Sequence, residues 1–188
     1  MKLNLGAGND IKDGFINHDI TQLPGIDVAF DINTYPWPWD DNTFDEVVAH
    51  DLLEHLNDFM RAMEEIHRIL TPNGMVKLSV PYWNSCARYI DPTHKIGFHE
   101  DTFKFFDPSS HYCKERFYYT KARFSIVKET FILVPFYPYF WIPKTPQIKI
   151  NNQILKRIFG FIGNVLISNF ILGLHMEMKK LPSAKQQL

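Results

Sequence analysis

Several things are scarce in this chain. Of its 188 residues only two are cysteine, Cys86 and Cys113, and they lack CxxC spacing. That argues against a disulfide scaffold or a thiolate zinc site and suits a reducing cytoplasm. Neither sign of charge is in excess: 20 Lys and Arg stand against 21 Asp and Glu, a formal net charge of −1. No global electrostatic pull toward nucleic acid is therefore expected. The opening Met1-Lys2-Leu3-Asn4-Leu5-Gly6 has no long apolar run, so no signal peptide is expected. One uncharged stretch, residues 158–174, approaches the length of a spanning helix. Gly160, Gly163, Asn164, Ser168 and Asn169 interrupt it and a strand pattern follows at once, so a helical cap is expected there rather than a span. Internal repeats and low-complexity tracts are absent.

What is present is alternation. Short apolar runs at 2–5, 15–18, 27–30 and 44–49 end in Gly6, Asp19, Asp31 and His50-Asp51, the pattern of strands buried on both faces. Phe59, Met63, Ile66 and Leu70 then recur at i, i+4, i+7 and i+11, predicting a helix with Asn57 as its cap and a Glu64–Arg68 pair. Thr71-Pro72-Asn73-Gly74 stops it, and residues 75–80 read as a fifth strand. Strand and helix alternating in this way predict an α/β fold with a mostly parallel sheet. Further on, a short helix is expected near 101–106, a strand at 124–133, a helix over 151–172 and a last strand at 174–179. The length fits a single domain, 1–188, with a cofactor-binding half at 1–81, substrate-side elements and a helical cap at 82–172, and the last strand at 173–181.

The most informative segment is Leu3-Asn4-Leu5-Gly6-Ala7-Gly8. A strand entering a Gly-Ala-Gly turn leaves little side-chain bulk at the carboxyl edge of a sheet, where ligands of open α/β sheets bind. Asp19 and Asp31 end the next two strands at the same edge. A carboxylate in the first position can accept two hydrogen bonds from a ribose diol. Asp31 and Ile32 can offer a polar contact and an apolar wall to adenine. The dinucleotide fingerprint needs a further glycine where Ile11 stands and a later acidic residue than Asp19. With no P-loop lysine pattern either, the site is poorly built for a pyrophosphate.

These residues resemble the class I S-adenosylmethionine-dependent methyltransferases, most closely a compact type 11-like branch. The resemblance runs in order through the glycine turn, Asp13-Gly14-Phe15-Ile16-Asn17-His18-Asp19, Phe44-Asp45-Glu46-Val47-Val48, Leu53-Glu54-His55, residues 65–74 and Asp91-Pro92-Thr93-His94-Lys95 followed by Phe98. It covers about the first 107 residues. It implies a Rossmann-like, mostly parallel seven-stranded sheet flanked by helices, its last strand antiparallel. It also implies S-adenosylmethionine as cofactor: Asn4, Gly6, Ala7 and Gly8 beside the methionine part, Asp19 and Ile20 at the ribose, Asp31 and Ile32 at the adenine, and His50, Asp51 and Leu52 near the sulfonium. Asn4 stands where many relatives have an acidic residue and Asp10 where they have glycine. The short 8–19 linker is read as a reduced first helix.

Methyl transfer requires aligned partners in a dry site, and an oxygen or nitrogen acceptor also needs a base. His94, His99 and Asp51 are the candidates for catalysis, with His50 beside them; histidine's pKa near 6.5 suits the task. The resemblance implies no metal, although Asp51, Glu54 and His55 fall at i, i+3 and i+4 with His94 or His99 to complete a set. Residues 131–143, rich in aromatics and proline, suit a lid, a dimer contact or a membrane-facing loop, with any membrane contact confined to 131–174. The expected function is methylation of a small-molecule oxygen or nitrogen acceptor, a sugar or glycan-pathway metabolite among them. The rivals are an inactive methyltransferase-like scaffold and a nicotinamide-dependent oxidoreductase. The expected partners are the acceptor and a second copy of the chain.

Overall fold

The computed structural model describes residues 1–133, 147–166 and 168–182. Eight strands form one sheet: β1 (Lys2–Leu5), β2 (Ile16–Asp19), β3 (Val28–Ala29), β4 (Phe44–His50), β5 (Leu70–Pro81), β6 (Phe124–Leu133), β7 (Ile148–Ile150) and β8 (Ile171–Lys180). Their order is β3-β2-β1-β4-β5-β8-β6-β7. The pairs β1–β2, β1–β4, β2–β3 and β4–β5 are parallel; β8 runs antiparallel to β5 and β6, and β7 antiparallel to β6. The expected fold class and the antiparallel last strand are both found. Among the described residues the sheet has eight strands rather than seven, because the short edge strand β7 joins it.

The first parallel strands share a direction, so the carboxyl ends of β1, β2, β4 and β5 lie along one edge. On one face their residues are apolar, with Leu3, Leu5, Val47, Ala49, Val76 and Leu78 all buried, while the other face carries Asn4, Glu46, Lys77 and Ser79 beside Val48, so the expected apolar burial on both faces is not found. One long helix, α1 (Phe59–Ile69), crosses from β4 to β5 and buries Met63, Ile66 and Ile69 completely. Each such side chain contributes about 1.5–3 kcal/mol of transfer free energy. Its cap is Asp58, not the expected Asn57: the Asp58 carboxylate accepts from the Arg61 N–H at 2.9 Å, while the Asn57 N–H donates to Asn33 Oδ1. Short helices α2 (Ala87–Ile90) and α3 (His111–Glu115) follow, and Thr102–Phe106 form a 3-10 turn where a short helix was expected.

Two expectations about helices fail. Residues 6–15 between β1 and β2 form no helix, reduced or otherwise, but a looped path. The helix expected over 151–172 is α4 (Gln153–Phe161), capped by the Asn152 carboxamide and continued by the π-helical Ile162–Leu166. It stops short of residue 172 because β8 starts at Ile171: a Cβ on Gly163 would lie 2.9 Å from Ile171 Cδ1, so the chain folds back tightly there. Of the aromatic segment 131–143, residues 134–143 lie outside the described part. Among the described residues no helix is long and apolar enough to cross a membrane.

With no helix between β3 and β4, residues 30–43 cover the core with aromatic rings instead. Trp37, 2% exposed, packs near Tyr35 and Trp39, and Trp39 meets Phe30 and Phe44 edge-on. Polar bonds tie this loop to α1. The Trp37 N–H donates to Glu65 Oε2 at 2.8 Å, and Arg68 donates to Glu65, Asp41 and the Trp37 and Trp39 carbonyls. Arg68 thus pairs with Glu65 rather than the expected Glu64, which accepts from Thr120 and lies 3.7 Å from Arg61. Glu65→Ala is expected to lower stability by about 1–3 kcal/mol, since it leaves the buried Trp37 N–H without an acceptor and takes one of two carboxylate partners from the half-buried Arg68 guanidinium. Glu115→Ala, at an exposed pair, is expected to change it by less than about 0.5 kcal/mol. Urea-unfolding midpoints at constant slope measure both; equal effects would contradict the tie.

Candidate functional site: the glycine turn and the carboxyl edge

At the end of β1 the chain turns through Gly6 (φ 71°) and Gly8 (φ 50°), both in the left-handed region. A Cβ on Gly6 would lie 2.6 Å from Leu52 Cδ1, so the turn and the residues after β4 touch. The loop's polar backbone is satisfied by side chains from the two flanking strands. Asn17 Oδ1 accepts from Lys12 N–H and from Asn4 Nδ2, which also donates to the Asp10 carbonyl. Gly8 N–H donates to Asp19 Oδ2 at 2.8 Å and Thr21 N–H to Asp19 Oδ1 at 3.1 Å.

His18 sits beneath this turn. Its Nε2 donates to the Phe30 carbonyl at 2.9 Å, which leaves Nδ1 to accept the long 3.5 Å contact from the Gly6 N–H. Burial holds its pKa below the usual 6.5, opposed by the Phe30 hydrogen bond and the nearby Asp19 charge.

The expected cofactor residues are dispersed in role. Gly6, Ala7, Gly8, Asp19, His50, Asp51 and Leu52 meet at the carboxyl edge. Asn4 is 3% exposed and both its amide hydrogens are used inside the loop. Ile20 is exposed, Ile32 belongs to the core, and Asp31 accepts from Asn33 in a local turn, its carboxylate exposed.

The candidate catalytic residues part company. Asp51 (φ 47°) accepts from Ser79 Oγ at 2.9 Å. His94 and His99 belong to different clusters. His94 Nδ1 donates to the Arg88 carbonyl at 3.1 Å while Nε2 lies 3.9 Å from Glu54 Oε1. His99 has both nitrogens engaged: Nδ1 accepts from Asp101 N–H at 3.2 Å, and Nε2 lies 3.2 Å from Glu100 Oε2. Tyr82 Oη is 2.6 Å from that same carboxylate oxygen and 2.7 Å from Asn164 Oδ1, and burial pushes its hydroxyl far above the usual phenol range. By contrast His50 is exposed at the end of β4, its ring stacked 6.3 Å from that of His175, with no hydrogen bond to either ring nitrogen among the described residues.

Sequence reasoning missed Tyr82, Glu100 and Asn164 as a cluster. Tyr82 follows β5 directly and could have been read as an edge residue; nothing in the pattern marks Asn164. It also missed how deeply Glu54 is buried: none of its surface is exposed, and desolvation raises its carboxyl to about 8. A cleft of about 1130 Å³ lined by Glu64, His67, Arg68, Tyr118 and Arg123 opens at the opposite edge, near Asn42 and Lys180. It lies away from the carboxyl ends where ligands of such sheets bind.

The family model described as "Methyltransferase domain" matches residues 6–78, from the glycine turn to the middle of β5. Over 67 residues this chain is 37% identical to arginine-hydroxylase NDUFAF5, mitochondrial, of Rattus norvegicus, covering 35% of this chain and 19% of that protein. It is 32% identical over 75 residues to a glycine/sarcosine/dimethylglycine N-methyltransferase of Actinopolyspora halophila, covering 38% of this chain and 13% of that one. The chain thus spans under a fifth of the length of these curated relatives. The whole fold resembles a solved SAM-dependent methyltransferase from Archaeoglobus fulgidus, with TM-score 0.58 and 21% identity over 95% of this chain and 85% of that one.

Two outcomes follow from the turn. Gly6→Ala places a Cβ against Leu52 at a positive φ, so a stability loss of about 1–2 kcal/mol is expected, readable as a lowered urea midpoint. His18, His67 and His175 all have pKa values lowered by burial. Folded protein therefore binds fewer protons than the unfolded chain just below pH 6.5. The stability their neutral rings confer is whole above that pH and is lost as pH falls toward the lowered folded values. A urea midpoint that drops between pH 7 and pH 5, with the His18 ring titrating below 6.5 by NMR, is the expected result; an unchanged midpoint would contradict it.

Proposed function

We propose that this chain is an S-adenosylmethionine-dependent methyltransferase acting on a small-molecule oxygen or nitrogen acceptor, the whole of 1–188 serving as one catalytic domain. The observation that carries this reading is the pre-formed turn: Gly6 and Gly8 hold left-handed conformations at the carboxyl end of β1, pinned by Asp19 from the neighbouring strand. When bound, the cofactor supplies a methyl group on a positively charged sulfur. The Gly6-Ala7-Gly8 backbone gives it close approach. Each Asp19 oxygen accepts one backbone N–H and keeps a lone pair for a ribose hydroxyl. Leu52, lying over Gly6, supplies an apolar contact that excludes water.

Of the candidate bases His50 suits the role best, because among the described residues its ring nitrogens have no hydrogen-bond partner, while those of His99 are engaged and His94 faces Glu54. The neutral His50 ring can take the acceptor's proton. Residues 82–172 then shape the acceptor side, and two free cysteines suit a cytoplasmic setting.

Calorimetric titration with S-adenosylhomocysteine tests the reading. Micromolar binding is expected, weakened at least tenfold by Asp19→Ala, with no comparable binding of NAD. Binding without turnover of any acceptor or slow self-demethylation would favour the scaffold alternative. Tight NAD binding in its place would favour an oxidoreductase.

A further inference from the structure

Glu54 is a buried carboxylate with no counter-charge and no donor. Its side chain has no exposed surface, and neither Oε1 nor Oε2 has a hydrogen-bond partner. Native proteins rarely leave such a group alone, and an ion is one of the few things that explains it. The charges that act on it, those of Asp51 and Asp91, are themselves acidic.

Two imidazoles face this carboxylate. The 3-10 turn Leu53–His55 is docked on the segment after α2, where the Lys95 and Ile96 N–H groups donate to the Glu54 carbonyl. The docking brings His94 beside His55, with ring centroids 4.6 Å apart. One donor atom each from Glu54, His55 and His94 lies within 4.8 Å of the others.

The outer contacts set both rings for ligation. His94 Nδ1–H donates to the Arg88 carbonyl. Thr93 Oγ1 gives its hydrogen to Asp91 and therefore accepts from His55 Nδ1 at 2.8 Å. Both rings thus carry their proton on Nδ1 and present the Nε2 lone pair. Metal-binding histidines are held in this way by their second nitrogen. Asp51, part of the sequence-based donor set, is turned to Ser79 and is not one of the three.

We propose that Glu54, His55 and His94 bind a divalent transition-metal ion of the zinc class. Two imidazole nitrogens and one carboxylate oxygen are the donor set of open zinc sites and of related two-histidine, one-carboxylate centres, with positions left over for an exogenous oxygen ligand. The ion supplies the positive charge that the buried carboxylate lacks.

The test is metal content and affinity, so a failed search for an acceptor leaves it untouched. Full-length protein is stripped with chelator and titrated with Zn²⁺, with elemental analysis of the retained metal and the absorption spectrum of the Co²⁺ form. One equivalent per chain is expected, with binding weakened at least 100-fold in Glu54→Gln and His94→Gln, unchanged in His111→Gln, and accompanied by a rise in Tm. His55→Gln, at a half-buried position, reads the same loss should Glu54→Gln not fold. Folded wild type that retains no zinc, or variants that retain it equally, would overturn the site and leave Glu54 as a protonated buried acid.

Discussion

The arrangement depends on one short connection. Residues 6–15 must carry the chain from the end of β1 back to the start of β2, its parallel neighbour, in fewer residues than a crossover helix needs. With no helix to satisfy them, the backbone groups of this loop turn to side chains of the two strands: Asn4, Asn17 and Asp19. The same bonds that close the loop hold the glycine turn open at the carboxyl edge. The candidate binding geometry is thus a by-product of satisfying the backbone of this loop.

The economy extends beyond the first loop. Between β3 and β4 a helix is replaced by aromatic rings packed mostly edge-on, whose backbone is anchored on Glu65 and Arg68 of α1. The helix α1 therefore packs the core directly and also braces the loop that covers it. The two candidate sites adjoin the turn that precedes α1, where Leu52 rests on Gly6 and Glu54 is buried in the interior.

The strands and the carboxyl-edge location were legible because they rest on local signals. Lys2–Leu5 and Phe124–Leu133 have the expected bounds, and Gly6, Asp19 and His50 stand at strand ends as their turn chemistry implies. What was not legible depends on distance along the chain. No periodicity announces that Asn4 spends its amide on Asp10 and Asn17, or that Lys95 draws His94 against Glu54. Helix length was overstated at 151–172 because apolar composition is shared by helix and strand; the tight approach of Gly163 to Ile171 decides between them. The three-residue β7 is too short to carry a pattern of its own.

The central claim is that the glycine turn, and not the cleft of about 1130 Å³ at the opposite edge, receives the nucleoside. A crystal structure of the protein grown with S-adenosylhomocysteine tests it most directly. The account predicts the ribose hydroxyls on Asp19 and the thioether beside Gly6 and Leu52, with the loop at 6–15 unmoved. A ligand seated against Arg68 and Tyr118 at the opposite edge, or a loop that must refold to admit it, would contradict it.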